Sequence, residues 1–222
     1  MKKLISILTP TFNEAENVEE LCRRINLVTS KLTDYDFEHI FIDNSSEDQT
    51  VDIVKKIIEK DKSVRLIVNA RNFGHINSPY HGLMQTKSDA CILIASDLQS
   101  PPELIPELIT EWERGYKTVL LVKSGSNESS FFFFIRELYY KFLSKISHVP
   151  PIRNATGDGL YDKTVIKVLT EINDPFPFLR GLLAEIGFPI GRDFLVLRDK
   201  GTEVPSLSRD KGTEAPSLYR DK

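Results

Sequence analysis

At 222 residues with 41% hydrophobic content, the chain has the length of one ordinary domain and enough apolar material to build a core. A net charge of −3, with 29 basic and 32 acidic residues interspersed, argues against a broad nucleic-acid footprint. No apolar stretch approaches the roughly 20 residues that cross a bilayer as a helix, so no membrane span is expected.

The opening M-K-K-L-I-S-I-L-T-P has the two lysines of a secretion signal, but its apolar run is short and broken at Thr9-Pro10. Leu4 to Leu8 therefore reads as a first strand, with T-P-T-F-N-E as a loop leading to a helix. In that helix Val18, Leu21, Ile25 and Val28 recur at helical spacing. Phe37 to Ile42 reads as a second strand ending at Asp43, followed by N-S-S-E-D-Q-T and a helix with Val51, Val54, Ile57 and Ile58 on one face. Val64 to Val68 is a third predicted strand, R-N-F-G-H a loop, and Asn77 to Thr86 a helix. The apolar run Cys91 to Ala95 stops abruptly at Ser96-Asp97, as expected of a buried strand delivering a carboxylate to the sheet's carboxyl edge. Pro101-Pro102 then starts a helix at Glu103 that Gly115 closes, and Lys117 to Val122 is a fifth strand. Cys22 and Cys91 fall on a helix and a strand without metal-type spacing, which makes them small core residues in a reducing compartment.

Strands alternating with helices predict an α/β fold: a mostly parallel twisted sheet with helices on both faces. Open sheets of this kind bind ligands at the carboxyl edge of their strands. Asp43, Asp97 and the loop holding Arg71 would all lie there. In an extended chain Asp97 and Gln99 point the same way and offer a carboxylate and an amide oxygen to one hard cation. Single carboxylates at strand ends are more often caps or turn formers. No G-x-G-x-x-G follows the first strand and no P-loop occurs, so phosphates fall to metal and arginine.

Five segments, in order, resemble the family-two glycosyltransferases of the GT-A fold, in particular the polyprenyl-phosphate sugar synthases. They are T-P-T-F-N-E (9–14), I-D-N-S-S-E-D-Q-T (42–50), A-R-N-F-G-H (70–75), S-D-L-Q-S-P-P-E (96–103) and F-L-R-G-L (178–182). The resemblance implies a metal-dependent, inverting hexosyltransferase that uses a UDP- or GDP-linked sugar and a polyprenyl phosphate. It would work peripherally at the cytoplasmic face of the membrane. On the same grounds Pro10, Asn13 and Glu14 help to hold the nucleotide, Asp43 contacts base or ribose, and Arg71 lies near the nucleotide. Asp97 and Gln99 match positions that bind Mg²⁺ or Mn²⁺, while Ala95 stands where the family usually has the first aspartate of D-x-D. Lys123, Arg136 and Arg180 match basic positions near the acceptor phosphate, and Asp158 in T-G-D-G-L-Y-D matches a candidate base. A turn-forming aspartate between two glycines is its equally weighted alternative.

The run F-F-F-F-I-R (131–136), with Lys141 and Lys145 beyond it, suits a bilayer interface in which cations meet lipid phosphates. Two other readings stay open: an enzyme that extends a saccharide chain, and a catalytically dead nucleotide-sugar-binding remnant, the latter motivated by Ala95 and the C-terminus. The resemblance fades near Gly187, so residues 1–190 form the expected transferase domain and 191–222 a divergent tail. There R-D-K-G-T-E-V-P-S-L-S (198–208) recurs as R-D-K-G-T-E-A-P-S-L-Y (209–219), identical at nine of eleven positions. Two charged units cannot bury a core, so this replacement for the family's usual end is expected to be a mobile tail.

Overall fold

The computed structural model describes residues 1–123, 155–191 and 196–197. Phe131 to Phe134, Arg136 and the repeat-bearing tail lie outside the described residues. Among the described residues one sheet forms the centre, in the order β3-β2-β1-β4-β6-β5-β7, with β8 beside β5. Its strands are β1 (Lys3–Thr11), β2 (Tyr35–Asp43), β3 (Val64–Val68), β4 (Ala90–Leu93), β5 (Thr118–Lys123), β6 (Ala155–Asp162), β7 (Ile190–Gly191) and β8 (Val196–Leu197). All neighbours run parallel except β6, which is antiparallel to both β4 and β5.

Period-two alternation divides the core. Ile5, Ile7, Ile92 and Leu160 face α1 (Val18–Thr29) and α4 (Ile105–Glu113), and Phe41 packs with Val18 and Cys22 of α1 and Val54 of α2 (Thr50–Lys60). Leu8, Ile40, Ile42, Cys91, Leu93 and Tyr161 face α3 (Gly74–Met84), α5 (Lys163–Ile172) and α6 (Leu179–Ile186). Full burial of each such aliphatic side chain stabilises by about 1.5–3 kcal/mol. Both cysteines are buried and free, as expected, and burial pushes the Cys22 thiol up to about 11 and the Cys91 thiol higher still.

Several elements depart from the sequence reading. T-P-T is strand rather than loop: Thr9, Pro10 and Thr11 pair with Phe41, Ile42 and Asp43. Proline is tolerated because β4 pairing ends at Leu8, which leaves Pro10 with a sheet neighbour on one side only. α3 starts three residues before its predicted start because tertiary contacts hold its first turn: Gly74 N donates to Asn72 Oδ1 (2.8 Å) and Asn44 Nδ2 to Gly74 O (3.4 Å). A 3₁₀ turn, Pro102–Leu104, precedes α4, and Arg24 of α1 grips its Glu103 through both carboxylate oxygens.

The largest departure is β6. T-G-D-G-L-Y-D is a strand, not a turn. Gly159 has φ +147°, and a Cβ there would meet Val119 O at 2.1 Å, so this glycine admits the adjacent backbone of β5.

Candidate active site

The connections after β1, β2, β3 and β4 all emerge at the carboxyl edge of the parallel strands. β6 starts at the same edge, since Gly159 pairs with Leu93 at the end of β4. Three of the non-glycine residues with positive φ lie here: Asn13 (55°), Ser45 (67°) and Leu98 (60°). Such conformations persist only where surroundings over-determine them, and they concentrate at ligand sites.

The first two connections are stitched together. Asn13 N donates to Ser46 Oγ (2.9 Å), Glu47 N donates to Asn13 Oδ1 (2.8 Å), and Glu14 N donates to Thr50 Oγ1 (2.8 Å). Asp43, fully buried at the end of β2, accepts from Ser46 Oγ (2.5 Å), Ser46 N (2.9 Å) and Thr11 Oγ1 (3.3 Å). Asp48 accepts from Ala15 N (3.1 Å) and from Thr50 N (2.9 Å). Desolvation opposes its ionisation, but these hydrogen bonds, with a further one from Thr50 Oγ1 (2.5 Å), outweigh that and hold its carboxyl below the usual range.

Asn44 joins this pair to the third connection. Its Nδ2 donates to Asn72 Oδ1 (2.8 Å), and its Oδ1 accepts from Phe73 N (2.9 Å) and Asn69 Nδ2 (3.3 Å). Arg71 lies on the rim so formed, exposed, with its guanidinium 4.0 Å from the Phe73 ring centroid and Nη1 donating to Asn72 O (3.1 Å). Pro10, Asn13, Glu14, Asp43 and Arg71 are thus brought into one connected rim. Sequence reasoning missed Asn44, Ser46 and Asn72, although the polar run N-S-S-E-D-Q-T (44–50) was the available signal for the first two and R-N-F-G-H (71–75) for the third.

A second group forms around the fourth connection. The extended conformation expected across Asp97 and Gln99 does not persist. Leu98 is left-handed, and Gln99 N turns back to donate to Asp97 Oδ1 (3.0 Å). Asp97 lies four residues beyond the end of β4 and is exposed. Two residues past the bend, buried Ser100 donates from Oγ to Asp158 Oδ2. Below them Tyr161 donates its phenol to Gly157 O. Burial first, then the Asp158 carboxylate, pushes the Tyr161 phenol up, while the Arg180 guanidinium opposes the shift. Arg180 therefore stands within electrostatic reach of Tyr161, with its Cζ 5.8 Å from the Phe178 ring centroid. Lys123 ends β5 at the same edge. Ser100 and Tyr161 are additions that the sequence reading did not make.

The donor set can be tested against a divalent cation. Among the described residues no three His, Cys, Asp or Glu side chains converge to hold a metal. Among the same residues Asp97 Oδ2 accepts no hydrogen bond, and Ala95 adds no second carboxylate. One open carboxylate fits a Mg²⁺-like ion held largely by water and substrate phosphates, and does not fit an all-protein cage.

A mostly parallel sheet whose carboxyl edge gathers bent polar loops, carboxylates and arginines defines an α/β protein with its ligand site at that edge. Residues 6–176 match the family described as Glycosyl transferase family 2, and the chain belongs to that family. It is 32% identical over 185 residues to YkcC of Bacillus subtilis, an uncharacterised glycosyltransferase, covering 82% of this chain and 57% of that protein. It is also 32% identical to the bactoprenol glucosyl transferase of Shigella phage SfX, covering 82% of this chain and 60% of that protein. The chain thus spans about three-fifths of the length of these relatives. Among solved structures, the mannosyltransferase PcManGT of Pyrobaculum calidifontis, in complex with GDP-Man and Mn²⁺, aligns with TM-score 0.57 at 15% identity over 90% of this chain and 56% of that one. S. aureus TarS 1-349 aligns with TM-score 0.56 at 18% identity over 89% and 60%. These two likenesses show the fold, the GT-A arrangement that the sequence motifs implied. Among the described residues no helix is long and apolar enough to cross a membrane.

Proposed function

We propose that this chain is an inverting glycosyltransferase moving a hexose from a UDP- or GDP-linked sugar to a polyprenyl phosphate at the cytoplasmic face of a membrane. The observation that carries this reading is the open carboxylate of Asp97, presented at the same sheet edge as the Ser100–Asp158 pair. Its setting is a family member 32% identical to a bactoprenol glucosyl transferase. The nucleotide diphosphate would lie across the rim formed by Asn13, Glu14 and Arg71, whose loops Asp43 and Asn44 hold in place. Mg²⁺ or Mn²⁺, held by Asp97 with assistance from Gln99 and bound with the substrate, would neutralise charge on the departing diphosphate.

A phosphate oxygen of the acceptor attacks the anomeric carbon from the side opposite the diphosphate. The new carbon–oxygen bond forms as the bond to the diphosphate breaks, and the electron pair leaves with the nucleoside diphosphate. A phosphate monoester with a second pKa of about 6 is already largely ionised at neutral pH and needs no strong base. Asp158, fixed by Ser100, then serves to orient the acceptor or to take up its residual proton. Lys123, Arg136 and Arg180 receive the acceptor phosphate, and guanidinium geometry suits that task. A binding protein without transfer activity is the competing reading, favoured by Ala95 and by the single open carboxylate.

The test incubates the protein with a panel of labelled nucleotide sugars, polyprenyl phosphate and Mg²⁺ or Mn²⁺, and follows label into the organic phase. Label there, together with release of nucleoside diphosphate, is the expected result. Calorimetric binding of nucleotide without any labelled lipid would favour the binding-only reading.

A further inference from the structure

The connection between α5 and α6, Asn173 to Phe178, exposes two aromatic residues. Phe176 is 86% exposed and Phe178 60% exposed, while Pro177 between them is buried. The loop is firmly built. Left-handed Asn173 (φ 47°) closes α5 with its N–H on Leu169 O (3.1 Å), and Asp174 Oδ1 accepts from Phe176 N (2.9 Å). Buried Pro177 pins the centre of the segment. The Phe178 ring lies against Gly181, where a Cβ would meet it at 2.5 Å. The two rings therefore face outward from an ordered loop.

Topology places this loop at the site edge. β6 descends from Ala155 at that edge to Asp162 at the other, α5 returns, and α6 descends again to reach β7, whose Ile190 pairs with Thr118 at the start of β5. Asn173 to Phe178 is thus the upper turn of an αα-hairpin beside Asp158 and Tyr161. Arg180, in the first turn of α6, presents its cation beside the Phe178 ring.

We infer that Phe176 and Phe178 form a membrane-inserting tip that seats the site edge against the interface of a phospholipid bilayer. Two rings exposed to this extent offer on the order of 300 Å², well below the roughly 800 Å² that each partner buries in a standard protein–protein interface. So small a patch does not support a stable second copy, whereas an apolar tip flanked by a cation suits the headgroup boundary, where aromatic rings concentrate. The inference rests on the sugar-transfer reading only in supplying a reason for the site to face lipid. It also differs from the expectation for Phe131 to Phe134, since it places an anchor on the opposite side of Asp158 in the sequence.

The test uses the full chain and vesicles of phosphatidylglycerol and phosphatidylethanolamine, with neither polyprenyl phosphate nor nucleotide sugar present. Flotation is measured at about 1 M salt, where a Debye length of about 3 Å suppresses purely electrostatic adsorption. Phe176→Ser/Phe178→Ser is expected to reduce the floating fraction about tenfold or more, with melting temperature and calorimetric nucleotide binding unchanged. In a conservative second variant, Phe176→Trp, emission is expected to shift to the blue when vesicles are added. The chain's one tryptophan, Trp112, is buried at 8% exposure, and the unsubstituted protein supplies its unshifted background. Failure of the native chain to float, equal flotation of the double serine variant, or no shift in Phe176→Trp would overturn the inference. So would a native dimer that the serine variant dissociates, because a second copy would then cover the rings. Flotation without labelled lipid product would defeat the sugar-transfer reading and leave this one standing.

Discussion

The two edges of the sheet use the same residue type in opposite ways. At the edge away from the site, buried Asp162 ends β6 and caps α5. Its Oδ1 accepts from Thr164 N (2.8 Å) and Thr164 Oγ1 (2.6 Å), and its Oδ2 accepts from Trp112 Nε1 (2.7 Å) and Lys117 Nζ (3.2 Å). Nearby Asp89 accepts from Lys163 Nζ (2.7 Å) and from Leu4 N (3.1 Å). At the site edge, Asp97 is exposed and accepts one backbone N–H from within its own turn. A saturated carboxylate ties elements together and has little capacity left for a ligand. An undersaturated one adds little to stability and keeps lone pairs for substrate or cation. Asp43 shows that position alone does not decide the matter: it lies at the site edge, yet it is buried and accepts three hydrogen bonds from Thr11 and Ser46.

That contrast is broken most directly at Asp97. Asp97→Asn should lower turnover by at least about 100-fold, the upper end of what even the outer-shell partners of a metal cost, while the melting temperature stays within about 2 °C. Full activity of this variant with unchanged metal dependence would remove Asp97 from the chemistry.

Asp162→Ala should do the reverse. It removes a helix cap and leaves the Trp112 indole N–H and the Lys117 ammonium without their acceptor, a loss of about 3 kcal/mol in urea unfolding, with nucleotide affinity retained. The pH dependence sharpens the point. Burial opposes ionisation of Asp162, but the bonds from Thr164, Trp112 and Lys117 prevail and hold its carboxyl below the usual range. Its contribution is therefore present above the unfolded value of about 3.9 and is lost as pH falls through the lower folded value. Urea midpoints should drop steeply below about pH 4, and Asp162→Asn should flatten that part of the profile. An unchanged acid limb would assign acid sensitivity to other carboxylates.

The smallest expected effect is at Ser100. Ser100→Ala removes one donor from Asp158 and should lower kcat about tenfold, within the range for an outer-shell partner, with KM for the nucleotide sugar held. Stability should change by only about 1 kcal/mol. A pure stability loss with unaltered kcat would make the Ser100–Asp158 bond structural.

The legible parts of the fold were those written in local periodicity. Val18, Leu21 and Ile25 recur at helical spacing and are buried in α1, and the apolar run around Ile92 is the buried strand beside β1. The abrupt end of that run also pointed to the correct edge of the sheet. Two site expectations misjudged local backbone. Asp97 and Gln99 were placed on one extended face, but left-handed Leu98 breaks the alternation. Asp158 was weighed as a turn residue because two glycines flank it, whereas the stretch is a strand in which Gly159 admits the close backbone of β5 and Gly157 (φ +99°) lies where the β5–β6 register shifts.

By itself the sequence determined the alternation of strands and helices, the burial of one face of each helix, and which polar loops share the ligand edge. Each of these follows from side chains within a few positions of one another. The tertiary structure alone decided which carboxylates remain open. Asp158 meets Ser100 across 58 residues, Asp162 meets Trp112 across 50, and Asn44 gathers Asn72 and Phe73 from the next strand's loop. A carboxylate's availability is a count of the donors that reach it, and those donors arrive from segments brought together only when the sheet closes its register.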